Sequence, residues 1–240
     1  MKENSLFHSI KTIILAIFIA LIIRSFFTEP FNIPSGSMKP TLLVGDFLFV
    51  KKWSYGYSKH SLPFSLPIIK NRIFYKEPSR GDIVVFKTPE DNRTDYIKRV
   101  IGVPKDKIEI KNGIIFLNDS PVSQIQINNF EEIDLFGNKI QIDQYKEILL
   151  DKEYNTIDLN KFGIADNTNI YIVPDSHFFV MGDNRDNSQD SRFSTPGFIP
   201  KENLVGQAWF VFFSLENSRF YQIWKWPKSI RYSKILTKIS

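Results

Sequence analysis

Ser37 is the residue whose neighbours most strongly suggest a nucleophile in this chain. It lies in the run Pro-Ser-Gly-Ser-Met-Lys-Pro-Thr-Leu at residues 34–42, a few positions beyond the only apolar stretch of membrane-spanning length. A serine hydroxyl is a weak nucleophile and requires a general base. Histidine, the usual base, occurs only at positions 8, 60 and 177, so the sequence favours a lysine as the base.

Lys98 is the candidate base. It lies in the run Tyr-Ile-Lys-Arg-Val-Ile-Gly at residues 96–102, which is typical of a β-strand. Because side chains alternate along a strand, Tyr96, Lys98 and Val100 would share one face. If that face is buried, the pKa of the lysine falls by about 3 units or more, and the neutral amine could deprotonate a serine. The common alternative is a lysine whose amine extends into water.

A charged loop forms the third element. It reads Gly-Asp-Asn-Arg-Asp-Asn-Ser-Gln-Asp-Ser-Arg at residues 182–192 and directly follows the apolar run at 178–181. Loops of this kind often carry function, although a solvated turn is the alternative. Its aspartates do not have the spacing of an EF-hand, so no metal site is predicted. Thiol catalysis is excluded, because the chain has no cysteine.

An apolar segment near the N-terminus places these residues relative to a membrane. It covers 22 positions from Leu6 to Phe27, with Lys11 and Arg24 near its two ends. As a helix it would span about 33 Å, close to the hydrocarbon thickness of a bilayer. A buried core helix would show a polar face, and no small-residue cleavage site follows that would indicate a secretory signal peptide. We therefore predict a retained single-span anchor at residues 1–27, with its N-terminus inside the cell.

The rest of the chain, residues 28–240, is predicted to be mainly β. Strand-like runs follow Gly-Asp pairs at 45–46 and 81–82, and Asn112-Gly113 between two apolar runs predicts a hairpin. Helical periodicity is hard to find beyond the anchor. We interpret the polar stretch at residues 106–173 as a smaller β subdomain inserted into a β-rich catalytic core.

The net charge of +5 lies in the C-terminal segment. Residues 216–240 contain six basic side chains and one acidic one, so the preceding residues balance. Trp224 and Trp226 accompany this charge, which favours contact with anionic lipid. A solvated tail is the alternative. Nucleic acid is not predicted as a partner, because no recognisable binding module accompanies the charge.

The motifs occur in a recognisable order after the anchor. They are Pro-Ser-Gly-Ser-Met at 34–38, Gly-Asp-Ile-Val-Val-Phe at 81–86, Tyr-Ile-Lys-Arg-Val-Ile-Gly at 96–102 and Gly-Asp-Asn-Arg-Asp-Asn-Ser at 182–188. In this order they resemble the conserved sequence motifs of the bacterial type I signal peptidases, which are membrane-bound Ser–Lys proteases. The resemblance covers nearly the whole chain, and it implies a β-rich catalytic core with an inserted smaller β domain.

The resemblance implies catalytic roles for three residues. Ser37 matches the nucleophile. Lys98 matches the general base, which later protonates the leaving amine. The hydroxyl of Ser35, with the backbone N–H of Ser37, matches the pair of donors that stabilises the oxyanion.

Five further residues match supporting positions of the family. Ser188 matches the serine that orients the lysine, and Asp190 and Arg192 match an ion pair near the base. Ile33 and Ile97 match residues that line shallow pockets for the substrate. Those pockets accept small residues at positions −1 and −3 before the scissile bond.

The resemblance also implies partners and a location. The substrates would be secretory preproteins, cleaved without a cofactor or metal ion. The chain would be a monomer that contacts membrane lipid. It would cross the inner (cytoplasmic) membrane once, with the catalytic domain on the extracytoplasmic (periplasmic) side.

Other functions remain open from the residues alone. A penicillin-binding enzyme would need lysine three residues after its serine, whereas methionine and proline stand there after Ser35 and Ser37. A self-cleaving repressor would need a DNA-binding domain. A triad of Ser37 with His177 and Asp183 is recognisable only by geometry. An anchored envelope protein that binds or scaffolds without catalysis would tolerate the loss of Ser37 or Lys98.

Overall fold

The prediction of a mainly β chain behind one N-terminal helix is confirmed. The structure, a computed structural model, describes residues 2–133, 137–216, 218 and 221–239. The helices are α1 (Lys2–Phe26) and the single turn α2 (Trp226–Ser229), with short 3-10 turns at Lys52–Ser54, Lys59–Ser61, Pro63–Ser65, Lys201–Asn203, Ile223–Lys225 and Tyr232–Lys234.

Sixteen strands are formed by the described residues. They are β1 (Thr28–Asn32), β2 (Asp46–Lys51), β3 (Ile83–Lys87), β4 (Asp95–Gly102), β5 (Lys107–Lys111), β6 (Ile114–Leu117), β7 (Ser120–Pro121), β8 (Ser123–Gln126), β9 (Phe130–Ile133), β10 (Lys139–Leu149), β11 (Lys152–Asp158), β12 (Tyr171–Ile172), β13 (His177–Met181), β14 (Ile199–Pro200), β15 (Leu204–Ser214) and β16 (Thr237–Lys238).

Helix α1 has the length and composition of a membrane span. Its 19 residues from His8 to Phe26 have a mean hydropathy of 2.1. Only 6% of the most apolar stretch of this helix is buried inside the protein. At about 1.5 Å per residue they extend roughly 28 Å, close to the thickness of a bilayer core. Arg24 forms an ion pair with Glu29 at 2.6 Å, where the helix joins β1. The helix is therefore suited to anchor the chain in a membrane.

The largest sheet carries the nucleophile loop and the base. Its eight strands lie in the order β1-β2-β15-β3-β4-β13-β14, with β16 paired to β15. Three strands separate β1 from β4, yet residues of both strands line one cavity. The sheet therefore curls, and this curl brings the end of β1 close to β4.

Strands β5 to β12 form two further sheets beside the large one. One has the order β12-β5-β6-β7, and the other consists of β11, β10 and β8 with β9 paired to the free half of β10. The turn between β5 and β6 has positive φ at both Asn112 and Gly113, as the hairpin prediction requires. Apolar residues of β5, β6 and β10 pack with β13 in one core. The bounds of an inserted subdomain at 106–173 stay a prediction.

Candidate active site

Ser37 and Lys98 meet in the curl of the large sheet. The Lys98 amine donates a hydrogen bond to Ser37 Oγ at 2.7 Å, across 61 residues of sequence. Ser37 lies in the loop that follows β1, and Lys98 lies in the middle of β4. Their exposed fractions are 8% and 4%. The distance is right for direct proton transfer, and little water competes for either group.

Apolar burial and one asparagine hold the nucleophile loop in place. The side chains of Met38 and Leu42 are fully buried, which anchors the loop in the core after Ser37. The Asn184 backbone N–H donates to the Ser37 carbonyl oxygen at 3.1 Å, and its side-chain amide donates to the Gly36 carbonyl oxygen at 3.1 Å. The charged loop at 182–192 thus fastens the serine loop from one side.

Burial lowers the pKa of Lys98 and so favours the neutral amine, which is the form that can act as a base. It lowers the pKa of Lys98 from 10.5 to about 8, because the desolvated ammonium is disfavoured, while the carboxylates of Asp190 and Asp183 raise the pKa in part. The amine lies 5.4 Å from the centre of the Tyr96 ring, its expected neighbour on the strand face. A useful fraction of the amine is therefore neutral near pH 7 to 8.

Two donors are available beside Ser37 for a developing oxyanion. Ser35 Oγ lies 3.5 Å from Ser37 Oγ, at the limit of a hydrogen bond. No described residue accepts a hydrogen bond from the Ser37 backbone N–H. Donors aimed at the place where charge develops stabilise such a transition state.

The ion pair expected near the base is present and buried. Arg192 Nε and Nη2 each donate to Asp190 at 2.9 Å, and the arginine side chain also donates to the Arg185 carbonyl oxygen at 2.5 Å. The backbone N–H of Gly182 donates to Asp190 at 2.9 Å. Although burial opposes it, the arginine and these hydrogen bonds hold the pKa of Asp190 below its usual value.

Ser188 is buried close to this pair but does not bond to the lysine. Its Oγ makes no hydrogen bond of good distance and angle among the described residues, although it lies near enough to the Asp190 carboxylate to help lower that pKa. The side chain instead packs over Gly182. A role for Ser188 in orienting Lys98 therefore stays a prediction.

Ile33 and Ile97 line one cavity with the reactive pair. The cavity has a volume of about 470 Å³ and lies between the end of β1 and the start of β4. Phe31 and Val85 complete its apolar walls, and Ser37 and Lys98 lie at its edge. Its apolar walls and volume can hold small apolar side chains beside Ser37.

The structure also reveals a buried arginine that the sequence reasoning missed. Arg99 Nε and Nη2 donate to the two carboxylate oxygens of Asp183 at 2.8 and 2.7 Å, and both side chains are about 1% exposed. The guanidinium also donates to the Gly81 carbonyl oxygen at 2.8 Å and stacks 3.9 Å above the Tyr154 ring. Strand alternation placed Arg99 opposite Lys98, and only its occurrence within the same motif pointed to a role.

A second buried pair joins the charged loop to the neighbouring sheet. Arg185 donates to both carboxylate oxygens of Glu147 on β10, each at 2.5 Å. The Ile157 N–H donates to the Asp183 carbonyl oxygen, and Arg185 N–H donates back to Ile157. Residues beyond β4 thus support the active-site loop, a contact that no local motif predicts.

A histidine triad is not formed. His177 lies at the start of β13, where its Nδ1 is 2.9 Å from the Asp175 carbonyl oxygen. It lines a cavity that does not include Ser37. Asp183, the expected partner, is instead held by Arg99 and by the Thr41 hydroxyl at 2.5 Å.

Replacing Gly182 with alanine is expected to reduce activity about 100-fold or more, because misplacing catalytic groups by 1 Å has effects of this size. A Cβ there would lie 2.2 Å from Ser188 Oγ and 2.5 Å from the Ser37 carbonyl oxygen. Ser188 can rotate, but the Ser37 backbone can move only by displacing the nucleophile. Peptide-cleavage rates and thermal unfolding would measure the effect.

Gly36→Ala is the matched control within the same site. A Cβ at Gly36 would meet only the flexible Lys39 side chain, at 3.1 Å and beyond. We expect its rate to stay within about tenfold of wild type, since a flexible side chain can shift cheaply. Equal rates for Gly182→Ala and wild type would contradict the argument.

The chain is similar to known proteins over most of its length. The family model described as "Signal peptidase, peptidase S26" matches residues 6–213. The chain is 39% identical to signal peptidase I of Rickettsia typhi over 240 residues, covering 92% of this chain and 89% of that protein. It is 41% identical to signal peptidase I of Rickettsia akari, covering 82% and 75%. A signal peptidase I structure from Enterococcus faecalis V583 is 24% identical, with a TM-score of 0.33, and covers 55% of this chain and 97% of that one.

Proposed function

This chain belongs to the signal peptidase family, peptidase S26, and is a serine endopeptidase of that family; from this premise we propose that it removes N-terminal signal peptides from exported preproteins with Ser37 and Lys98. The observation that carries the proposal is the 2.7 Å contact between the buried Lys98 amine and Ser37 Oγ. Groups with a shifted pKa cluster at functional sites, and the Lys98 amine faces a hydroxyl that it can deprotonate.

In the first half of the reaction, the neutral Lys98 amine accepts the proton of Ser37 Oγ. The oxygen attacks the carbonyl carbon of the residue at position −1 and forms a tetrahedral intermediate. Its oxyanion accepts hydrogen bonds from the Ser35 hydroxyl and the Ser37 N–H. The C–N bond then breaks, and the Lys98 ammonium gives its proton to the leaving amine of the mature protein.

The second half of the reaction repeats these roles with water. The signal peptide is now an ester on Ser37 Oγ, and Lys98 is neutral again. Lys98 accepts a proton from a water molecule, which attacks the ester carbonyl. The second tetrahedral intermediate releases Ser37, which regains its proton from Lys98, and the signal peptide leaves as a carboxylate.

The supporting residues are assigned to the base and to the substrate. Asp190 and Arg192 would maintain the charge balance around Lys98, and Ser188 would orient the amine after a rotation of its side chain. Ile33 and Ile97 would line the pockets for small residues at positions −1 and −3. Both isoleucines lie on the cavity beside the reactive pair.

The proposed location is the inner membrane, with residues 28–240 on the extracytoplasmic side as a monomer. Three exposed aromatic residues continue from the end of α1: the Phe27 and Trp53 rings are 6.4 Å apart, and Trp53 and Trp209 are 6.2 Å apart. Such residues favour the membrane interface. We assign lipid contact to this aromatic row and to Trp224, which is 70% exposed.

Not every basic residue of the C-terminal segment is available for lipid. Lys234 Nζ donates to the Thr41 carbonyl oxygen at 3.1 Å, and Arg231 donates to the Leu215 carbonyl oxygen at 2.5 Å. Arg219 lies outside the described residues. The remaining basic residues of the tail, Lys225, Lys228 and Lys238, are the candidates for contact with anionic lipid.

Cleavage of a defined preprotein tests the proposed function. Purified full-length protein in phospholipid vesicles should cut a preprotein with alanine at −3 and −1, and N-terminal sequencing of the product should place the cut after −1. Phenylalanine at −1 is expected to reduce kcat/KM about 10- to 100-fold, since overpacking costs about 1–3 kcal/mol. Ser37→Ala serves as the matched inactive enzyme. Equal cutting of both substrates, or cutting by Ser37→Ala, would refute the assignment.

A further inference from the structure

The cleft that holds Ser37 has a direction relative to the membrane. Strand β1 begins at Thr28, two residues after α1 ends. Glu29 near the start of β1 and Asp95 at the start of β4 line one small cavity together with Arg24 of the helix. The cleft between β1 and β4 therefore starts at the anchor end and reaches Ser37 at its far end.

A preprotein bound in this cleft has a defined exit. Its apolar signal segment lies in the bilayer, so the residues before the scissile bond enter the cleft from the anchor end. The mature chain must then continue past Ser37, away from the anchor. Each extended residue adds about 3.3–3.6 Å, so positions +2 to +4 lie roughly 7–14 Å beyond the scissile bond.

A second groove borders the loop that carries Ser37. It has a volume of about 730 Å³ and includes Lys39, two residues after Ser37. Its apolar lining includes Phe130 and Ile133 of β9 together with Leu43 and Leu215. None of the residues of the nucleophile cavity lines this groove, so it is a separate site, and Lys39 joins it to the loop that carries Ser37.

One ion pair lies where this groove meets the loop that carries Ser37. The Lys39 amine is paired with Glu132 of β9, and the two side chains are 17% and 28% exposed. The aliphatic part of Lys39 lies 3.1 Å from the position of a Cβ on Gly36. The β9–β10 hairpin is thereby fastened directly to the loop that carries the nucleophile.

The remaining charges of the groove are unequal. Arg231 donates to the Leu215 carbonyl oxygen at 2.5 Å and lies 3.9 Å from the buried Asp46 carboxylate, so its charge is already matched. Glu131 and Glu216 line the groove and form no ion pair with any described residue. Among the described residues, Lys139 is the one basic side chain of the groove that likewise forms no ion pair. Among the described residues that line the groove, the unpaired charge is therefore negative, which favours cations.

We infer that this groove binds the first residues of the mature protein, at positions +2 to +4, as an extended peptide and prefers basic side chains there. The inference rests on the proposed function, because it takes the bond cut at Ser37 as its starting point. Apolar walls accept the stems of lysine or arginine, and Glu131 and Glu216 attract their charged ends. The groove would add specificity after the scissile bond to the pockets that act before it.

Charge reversal tests the preference. Three preproteins with alanine at −3 and −1 carry lysines, serines or glutamates at +2 to +4. The wild type should have a higher kcat/KM for the lysine substrate than for the glutamate substrate, and Glu131→Lys with Glu216→Lys should change that ratio by about tenfold or more. Asp175→Lys, an exposed reversal outside the groove, should leave the ratio as in the wild type. An unchanged ratio in the double variant would overturn the inference.

The serine substrate separates this inference from the proposed function. If the wild type cuts it while the charge ratio does not respond, the groove assignment fails and the peptidase assignment stands. If the wild type cuts none of the three, the proposed function fails.

A photocrosslinker at +3 gives an independent reading that does not depend on the folding of the double variant. Bound to Ser37→Ala, the substrate should crosslink to residues 130–133 or 43–45. Crosslinks confined to the surface around Tyr154 and Asn155 would place the mature chain elsewhere and overturn the inference.

Discussion

Replacing Lys98 with methionine is expected to abolish cleavage and, at pH 7, to stabilise the fold. The reaction loses its base and its proton donor, so the rate should fall about 10⁴-fold or more. The fold loses a buried ammonium whose pKa is lowered from 10.5 to about 8 by desolvation. That difference corresponds to about 3 kcal/mol at 1.36 kcal/mol per pKa unit. Cleavage rates and chemical unfolding at pH 7 measure the two opposite effects.

The same group sets the expected pH dependence. Below about pH 8 the amine is protonated in both the folded and unfolded states, so the folded state bears the full cost of desolvation. As pH rises from about 8 to 10.5 the folded state releases its proton first, and the stability of the wild type should increase by about 3 kcal/mol. Lys98→Met should lack this increase. Below about pH 8, kcat/KM should rise tenfold per pH unit, and above that pH it should level off.

Lys52 provides the matched control for a buried lysine. It is 2% exposed, and its amine pairs with Glu29 at 2.8 Å and donates to the Ser61 carbonyl oxygen at 2.8 Å. Its replacement by methionine leaves Glu29 without this partner, so stability should decrease while peptide cleavage continues. If Lys98→Met retained wild-type cleavage, the lysine base would be ruled out.

Replacing Arg99 with methionine is expected to destabilise the fold by about 3–5 kcal/mol, because it leaves a buried charge without its partner. The Asp183 carboxylate is about 1% exposed and accepts both of its charged hydrogen bonds from Arg99. Asp183 already raises the pKa of Lys98. Without Arg99 its charge acts on the lysine unopposed, so the acid limb of the pH–rate profile should move to higher pH.

Two comparisons isolate the cause of that loss. Lys107→Met removes an exposed partner of Asp119 and should leave the stability nearly unchanged, because solvent screens such a pair. A double variant, Arg99→Met with Asp183→Leu, should recover part of the stability, since it leaves no buried charge unpaired. An Arg99→Met protein as stable as the wild type would show that the pair contributes nothing. Chemical unfolding followed by circular dichroism measures all three.

The anchor and several strands could be predicted because their signals are local. Helix α1 needs only length and apolar composition, and the turn at Asn112-Gly113 needs only residues that accept positive φ. Strand alternation grouped Lys98 with Tyr96 and Val100 on one face, but it left open whether that face is buried. The same rule places Arg99 on the opposite face of β4, and that face is also covered by protein, so the arginine is buried as well.

The groove and the tail show what local patterns leave undecided. From the sequence, Lys39 has no assigned partner, and Arg231 and Lys234 belong to a basic tail that could face either lipid or water. In the structure they reach Glu132, Leu215 and Thr41, at separations of up to 193 residues. Whether a basic side chain faces lipid, water or a backbone carbonyl depends on which segment packs against it. Composition contains no such information.

By itself, the sequence determined that the chain has a membrane-spanning segment and a recognisable order of motifs. Those motifs contain a candidate nucleophilic serine with a strand lysine, rather than a histidine, as its candidate base. Only the tertiary structure decided that Lys98 is 4% exposed and 2.7 Å from Ser37. The physical reason is that desolvation and proton transfer depend on distances between segments far apart in the chain. The curl of the large sheet brings those segments together, and buried ion pairs such as Arg99–Asp183 hold them there.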